Sequence, residues 1–306
     1  MNKIKLGSKR VYLRPTDQRK FKPEGTLLFR GINEEVCEDG IEYCFYQGMR
    51  GLEYPNIVIE EEIRQDWIDE VETIKNKISS GHIKKEVAYR RVDLTAGGYP
   101  SDIMHRIMRS GGFMHYCLTL EDGTVWFGNS PEKVIERVDN LLRVNVLGGT
   151  AAKGQELEGA KEREEHSLII REIMEKLEEY GSPKLVLSRK ALELPYARHL
   201  SSVIEMELED EISNEKLIDL VHPNLAVRGS NKADREFYGG VIGWESPKGD
   251  LHLWLNIRSG KWKEGKYTFW AGAGITSDSD PYLEWKETDL KLKWMLQDEF
   301  NFYSHD

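Results

Sequence analysis

Two stretches of this sequence alternate apolar, strand-like runs with short turn sequences. In residues 113–146 the runs are rich in Val, Phe and Leu, and turn residues separate them at 121–123 and 139–140. Residues 236–275 repeat this arrangement around turns at 247–250 and near 264–265. Apolar runs bounded by such turns are typical of antiparallel hairpins. The sequence therefore predicts sheets in which strands close in the chain pair with one another.

Two helices are predicted by apolar residues at helical spacing. The first is expected from about residue 59 to Ser80, and the second from about Glu158 to Tyr180. Strand runs joined by hairpins, with helices in between, favour an α+β architecture over a strict βαβ alternation. We find no linker and no clean domain boundary, so we expect one domain over residues 1–306.

The net charge of the chain limits the kinds of molecule that it is expected to bind. Lys and Arg number 43 against 53 Asp and Glu, which gives a net charge of −10. No basic run offers a footprint for nucleic acid or for a membrane surface, so neither partner is expected. The three cysteines lack metal-ligand spacing, and no apolar run is long enough for a signal core or a membrane span. We therefore expect a cytoplasmic protein.

The stretch 271–291 combines a glycine-rich segment with a helix start. Asp280 followed by Pro281 is typical of an N-cap and first helical position. Along the predicted helix Glu284, Glu287 and Lys291 stand at i, i+3 and i+7 and share a face. We expect the glycine-rich segment to form an anion-binding turn. Together with the acidic pair and the amine, this turn indicates a site for a carboxylate ligand that is bound through a metal ion. The alternative is an ordinary solvated helix face.

A second acidic pair, Glu162 and Glu165, stands near the start of the 158–180 helix. The two pairs together are suited to a hard cation such as Mg²⁺, which proteins hold through few carboxylates. The alternative is that acidic residues here complement the helix dipole. His166 is equally consistent with an ordinary surface position.

Several polar residues elsewhere bear on a site. Glu132 follows a predicted strand and is placed to face a cleft, and Lys85 begins a strand-like run; either could also be a surface residue. The glycine-rich segment 148–154 could present backbone donors but lacks a nucleotide-binding spacing. His199, Tyr238 and Arg258 add a titratable imidazole, a phenol and a guanidinium, respectively, to the candidate site residues.

The order and spacing of these pieces resemble the chorismate-utilising enzymes, the family of isochorismate synthase, salicylate synthase and the large subunits of anthranilate and aminodeoxychorismate synthases. The resemblance covers residues 82–297, leaving 1–81 as a reduced N-terminal part. It implies a layered sandwich of largely antiparallel sheets with helices outside, in an N-terminally shortened form. Its most specific tract comprises 236–244, Asn256-Ile257-Arg258, 271–275 and Ser279-Asp280-Pro281 leading to Glu284.

The resemblance implies an acid and a base. Lys85 matches the lysine that deprotonates an attacking water, where aminating members usually have glutamine. Glu132 matches the general acid that protonates the departing 4-hydroxyl of chorismate. His199 matches a histidine that members losing pyruvate use or position near that step.

The resemblance also implies a Mg²⁺ cofactor and a set of substrate contacts. Glu165 and Glu284 match the Mg²⁺ ligands, and Glu162 and Glu287 support the ion directly or through water. Contacts to the enolpyruvyl carboxylate are implied for Tyr238 and Arg258, and contacts around the metal-bound ring carboxylate for Gly149, Thr150, Gly272 and Lys291.

The expected product is isochorismate. Ala226 stands in a His-Pro-x-x-Ala tract like that of isochorismate synthases, whereas salicylate and anthranilate synthases tend to have Thr there. A glutaminase subunit is not expected. Compared with the family, the segment between Thr150 and Glu165 is short, with Lys153 in place of Arg, and about a three-turn helix is missing after Gly229. The alternatives are salicylate formation, action on a modified chorismate, or a non-catalytic chorismate-binding relative.

Overall fold

The computed structural model describes residues 1–8, 10–15, 25–31, 33–39, 41–43, 62–95, 113–152, 157, 159–193, 197–208, 212–229 and 234–296. Within them the elements follow in the order β1 (Asn2–Lys3), β2 (Arg10–Pro15), β3 (Thr26–Arg30), β4 (Glu34–Glu38), β5 (Glu42–Tyr43), α1 (Gln65–Ser79), β6 (Glu86–Thr95), β7 (Met114–Thr119), β8 (Val125–Ser130), β9 (Lys133–Val138), β10 (Leu141–Ala152), α2 (Ala160–Leu177), β11 (Lys184–Glu193), β12 (Ala197–Glu207), α3 (Asn214–Val221), β13 (Val241–Glu245), β14 (Leu251–Leu255), β15 (Ser259–Lys263), β16 (Lys266–Ile275) and α4 (Pro281–Leu296).

These strands form two sheets. One has nine strands in the order β1-β4-β3-β13-β14-β9-β10-β12-β11, and the other has seven in the order β5-β2-β7-β8-β15-β16-β6. Among the described strands only β1 with β4 and β2 with β5 are parallel pairs. The hairpins predicted from residues 113–146 and 236–275 are confirmed, because their turns separate β7 from β8, β9 from β10, β13 from β14 and β15 from β16.

Apolar side chains hold four layers together. Between the sheets lies an aromatic core in which Phe29 of the first sheet contacts Tyr116 and Trp126 of the second. The helices α2 and α3 cover the outer face of the nine-stranded sheet. The outer face of the seven-stranded sheet packs against α1 and α4, where Trp67 meets Trp285. The α+β sandwich with outer helices is confirmed.

The helix boundaries differ slightly from those expected. The first helix begins at Gln65 rather than near residue 59, because Arg64 is extended, with φ −93° and ψ 145°; residues 59–61 lie outside the described part. The second helix ends at Leu177, within the predicted range. At α4 the Asp280 carboxylate accepts hydrogen bonds from the backbone N–H groups of Tyr282 and Leu283, as expected of an N-cap. No described helix is long and apolar enough to cross a membrane.

One local expectation is wrong. The glycine-rich segment 271–275 is the end of strand β16 and not a turn, since Gly272 pairs with Tyr89 and Gly274 with Val87 of β6. Residues 271–275 pair with β6 on one side only, because the pairing of β16 with β15 ends at Phe269, so the segment is a strand edge and not an anion-binding turn. The glycines act instead by lacking side chains, which leaves space above the strand.

Candidate active site

A cleft opens between the two sheets and is closed by α2 and α4. Most of the site residues expected from the sequence line it: Lys85, Glu132, Gly149, Glu165, His199, Ala226, Tyr238, Arg258, Gly272, Glu287 and Lys291. They come from distant parts of the chain. Strand pairing places β6 beside β16 and β10 beside β12, and the packing of the two sheets brings these two pairs together. Glu162 and Glu284 are not among the lining residues, and of Thr150 only the backbone, in β10, is described.

Lys85 is a buried residue, not a surface one. It lies immediately before β6 and is 3% exposed, and its Nζ lies 2.7 Å from Oε1 of Glu165 on α2. The ion pair offsets the cost of burying the ammonium group. Gly274 makes room for it, since a Cβ at this glycine would lie 2.7 Å from Cε of Lys85.

Glu132 is a carboxyl group in a dry environment. It lies between β8 and β9, is 5% exposed, and accepts a hydrogen bond of 3.1 Å from the backbone N–H of Leu147. Burial raises the pKa of Glu132 to about 8, although the Leu147 bond and the charges of Lys85 and Arg258 act in the opposite direction. The cleft therefore contains a carboxylic acid that keeps its proton at neutral pH.

His199 and Arg258 are joined by a hydrogen bond. Nη2 of Arg258 lies 3.0 Å from Nε2 of His199, and Nδ1 of His199 lies 3.2 Å from the carbonyl oxygen of Gly149. Burial, followed by the charges of Arg258 and Lys291, holds the pKa of His199 well below its ordinary value. The imidazole is thus neutral, and it bridges β10 to the segment before β15.

An aromatic wall closes one side of the cleft. Tyr238 stacks on Trp270 and meets Tyr89 edge-on, with centroid distances of 6.0 and 5.6 Å. Burial raises the pKa of the Tyr238 phenol, so it remains a hydrogen-bond donor. Sequence reasoning missed Tyr89 and Trp270. The alternation of apolar and polar residues predicts strands at both positions, Tyr89 in β6 and Trp270 in β16. Only the pairing of these two strands shows which of their faces meets the cleft.

Of the four acidic residues proposed to bind a metal, two line the cleft and face lysine side chains, and the other two lie outside the cleft lining. Glu165 faces Lys85, while Glu287 lies 2.6 Å from Nζ of Lys291, which also donates to the carbonyl oxygen of Gly272 at 2.7 Å. Glu284 is 1% exposed, and Glu162 packs beside Gly149.

This donor set can be compared with what Mg²⁺ requires. In the described part of the chain no three His, Cys, Asp or Glu residues stand close enough to hold a metal by themselves. Mg²⁺ commonly uses only one or two protein carboxylates together with oxygen atoms of a substrate. Glu165 of α2 and Glu287 of α4 bring two such carboxylates to one cleft, so the residues fit a Mg²⁺ that is completed by an anionic ligand.

His166 was equally consistent with a surface position, and the structure decides against this. The ring is fully buried, and its Nε2 lies 2.8 Å from Oγ of Ser202. Burial lowers the pKa of His166 to about 4. It fixes α2 against β12 and does not reach solvent.

Comparisons with known proteins agree with the resemblance. Residues 50–298 match a family described as chorismate binding enzyme. Anthranilate synthase component 1 of Bacillus caldotenax is 26% identical over 76% of this chain and 51% of its own length. Isochorismate synthase EntC of Escherichia coli is 28% identical over 70% of this chain and 62% of its own length. The chain thus spans between half and two thirds of these relatives.

A solved structure shows the same fold. A crystal structure from Bacillus anthracis, described as a 2,3-dihydroxybenzoate-specific isochorismate synthase, superposes with a TM-score of 0.73. At 23% identity it covers 89% of this chain and 82% of its own.

Proposed function

Because the chain belongs to the chorismate-binding enzyme family, and because its cleft holds a buried lysine together with a protonated carboxyl group, we propose that it converts chorismate to isochorismate. The observation that carries this proposal is the pKa of Glu132 near 8 in a cleft that it shares with Lys85. Glu132 is suited to donate a proton, and Lys85, in its unprotonated form, to accept one.

The reaction exchanges one hydroxyl group for another. Lys85, unprotonated at the moment of attack, removes a proton from a water whose oxygen bonds to C2 of the ring. The ring double bonds shift, the bond from C4 to its hydroxyl breaks, and Glu132 protonates the departing oxygen to give water. Positioned groups of this kind contribute about 10²–10⁴-fold each. Returning the proton from Lys85 to Glu132 restores the starting state.

The substrate's two carboxylates have separate contacts. We assign Arg258 and Tyr238 to the enolpyruvyl carboxylate, since a guanidinium pairs with a carboxylate through two parallel hydrogen bonds. We assign Lys291, which is held between Glu287 and the Gly272 carbonyl, to the ring carboxylate. An acidic protein can thereby bind a dianion through local charges.

A bound Mg²⁺ would neutralise and orient the ring carboxylate. Glu165 and Glu287, which line the cleft, are the residues we propose to hold it, with Glu162 and Glu284 in support. The carboxylates stand one turn apart on α2 and on α4, so each helix presents its pair on one face.

Two residues favour isochorismate among the family's products. Lys85 supports the addition of water, as glutamine at this position accompanies amination in the family. Ala226 lines the cleft where salicylate and anthranilate synthases tend to have Thr.

The test is to incubate the purified protein with chorismate, with and without Mg²⁺, and to separate the products chromatographically. Isochorismate that forms with Mg²⁺ and is lost in Lys85→Ala would support the proposal. Salicylate and pyruvate would instead indicate a salicylate synthase. Binding of chorismate without conversion, in a folded protein, would indicate a non-catalytic relative.

A further inference from the structure

The protonation of His199 can be read from its two hydrogen-bond partners. A carbonyl oxygen only accepts, so the nitrogen facing Gly149 O at 3.2 Å must carry the hydrogen. A guanidinium only donates, so the nitrogen facing Nη2 of Arg258 at 3.0 Å must offer a lone pair. His199 is therefore the neutral Nδ1–H tautomer. Since the side chain is 7% exposed, water has little access to either nitrogen.

A bulge in β10 supplies the acceptor for this ring. The pairing of β10 with β12 shifts register between Gly148 and Thr150, so that Thr150 lies opposite His199. Gly149, the extra residue, has a φ of +62°, which a glycine adopts without strain. The bulge aims the Gly149 carbonyl at Nδ1 of His199. Backbone geometry thus fixes the ring from the side opposite Arg258.

The neutral ring leaves the charge of Arg258 intact. Arg258 is 5% exposed, lines the cleft, and occupies a left-handed backbone conformation with φ +56° just before β15. A carboxylate in the place of His199 would orient the guanidinium equally well but would neutralise it. A neutral acceptor orients it while keeping the positive charge for an incoming anion.

We propose that His199 is a positioning residue, which holds the Arg258 guanidinium for a substrate carboxylate and takes no part in proton transfer. This rests on the proposed function in one respect, because it takes the ligand of Arg258 to be a carboxylate of chorismate. The family resemblance implies a histidine that members losing pyruvate use or position near that step; the proposal gives His199 a different task, the orientation of Arg258. The charged groups that bear on the ring are Arg258 and Lys291.

The first test needs no substrate. In protein labelled with ¹⁵N-histidine, the ring nitrogen shifts report which nitrogen carries the hydrogen, and the resonance lost in His199→Gln identifies this residue among the eight histidines. We expect an Nδ1–H tautomer that stays neutral from pH 5 to pH 9. An Nε2–H tautomer, or a ring that titrates near pH 6.5, would overturn the proposal.

The second test uses a pair of isosteres. Glutamine places its amide oxygen near the position of Nε2 and retains the contact to Arg258, whereas asparagine places its amide nitrogen near Nδ1 and retains only the contact to Gly149. We expect His199→Gln to bind chorismate within a few-fold of wild type. For His199→Asn and His199→Asp we expect a dissociation constant raised about 10-fold or more, as for loss of a hydrogen bond to a charged group.

Calorimetric binding and kinetics separate the outcomes. For a positioning role KM follows the dissociation constant, and kcat in His199→Gln stays within a few-fold of wild type. If His199 transferred a proton, Gln and Asn would lower kcat equally with KM little changed, and the proposal would fail. If wild type binds chorismate without converting it, the proposed function fails while the binding series still decides the positioning role. If wild type binds no chorismate, the carboxylate part of the proposal is overturned.

Discussion

Nζ of Lys85 and Oε1 of Glu165 lie 2.7 Å apart inside the cleft, with 1% and 15% of their side chains exposed. The pair joins the start of β6 to α2, two elements that are far apart in the chain. It places the proposed base beside a proposed metal ligand. Each group is buried at a cost that its partner offsets.

Breaking this pair should destabilise the fold. We expect Glu165→Gln to lower the free energy of unfolding by about 3 kcal/mol, because it leaves a buried ammonium group unpaired. Lys85→Met with Glu165→Gln should cost less than the sum of the two single changes, as measured by urea denaturation without metal. The more exposed pair Glu287 and Lys291 serves as the control, with an expected coupling of about 1 kcal/mol or less. Additive effects at Lys85 and Glu165 would contradict the prediction.

Glu132 should set the alkaline limit of activity. Since the protonated carboxyl is the active form, kcat/KM for chorismate should fall as pH rises through about 8. We expect Glu132→Gln to lower kcat by about 10²–10⁴-fold and to remove this alkaline limb from the residual activity. An alkaline limb of the same midpoint in the variant would assign it to another group.

The same carboxyl should make stability depend on pH. Its pKa is about 8 in the fold against an ordinary value of 4.5, so between these pH values the folded state binds a proton that the unfolded state has released. The stability that this proton contributes is complete below pH 4.5 and is lost as pH rises towards 8, by at most about 1.4 kcal/mol per pH unit.

The control for this effect is Glu132→Gln. The buried histidines His115, His166, His199 and His222 have lowered pKa values and give the opposite slope at acid pH in both proteins. The difference between wild type and variant in denaturant unfolding therefore isolates Glu132. We expect the variant to gain stability relative to wild type from pH 5 to pH 8, and a constant difference would contradict the pKa.

Gly274 should be needed for the base and not only for the strand. A Cβ there would overlap Oε1 of Glu165, the partner of Lys85, and would lie 2.7 Å from Cε and 3.0 Å from Nζ of Lys85. We expect Gly274→Ala to displace the amine and to lower kcat for chorismate at least about 10²-fold, the contribution of a positioned base. Gly123→Ala is the control, because no atom lies within 4 Å of its Cβ and only its φ of +81° is unfavourable. A Gly274→Ala protein with wild-type kcat would show that the lysine can be placed elsewhere.

Removing the proposed metal ligands should weaken Mg²⁺ binding. In the presence of chorismate we expect Glu287→Gln and Glu165→Gln to raise the Mg²⁺ concentration needed for half-maximal thermal stabilisation, by about 10-fold or more. Glu164→Gln, a change at an exposed carboxylate of α2, is the control. Equal Mg²⁺ dependence in all three variants would exclude the proposed ligands.

Secondary structure was predictable to a useful degree because turns and periodicity are local. The hairpins, the second helix and the Asp280 cap are confirmed. The error at 271–275 arose because glycines are typical of turns, and the demand for space that places them in β16 comes from Lys85 and Tyr89, which are distant in sequence.

Site residues were predictable only through motif order. Taken one at a time, Lys85 and Glu132 were as well explained as surface residues. The family resemblance assigned Lys85 and Glu132 to one predicted site with the other candidate residues. In the structure most of these residues line the same cleft. The roles implied for each remain predictions, and His199 shows why, since its neutral tautomer follows from two contacts that no local pattern contains.

By itself the sequence determined the alternation of hairpins and helices, the family, and the types of side chain available for chemistry, because these depend on neighbours along the chain. Only the tertiary structure decided which ionisable side chains are buried away from solvent. Burial between two sheets and two helices keeps Glu132 protonated, pairs Lys85 with Glu165 and makes His199 a neutral acceptor. Those properties depend on local dielectric and on partners that strand pairing supplies from distant parts of the chain.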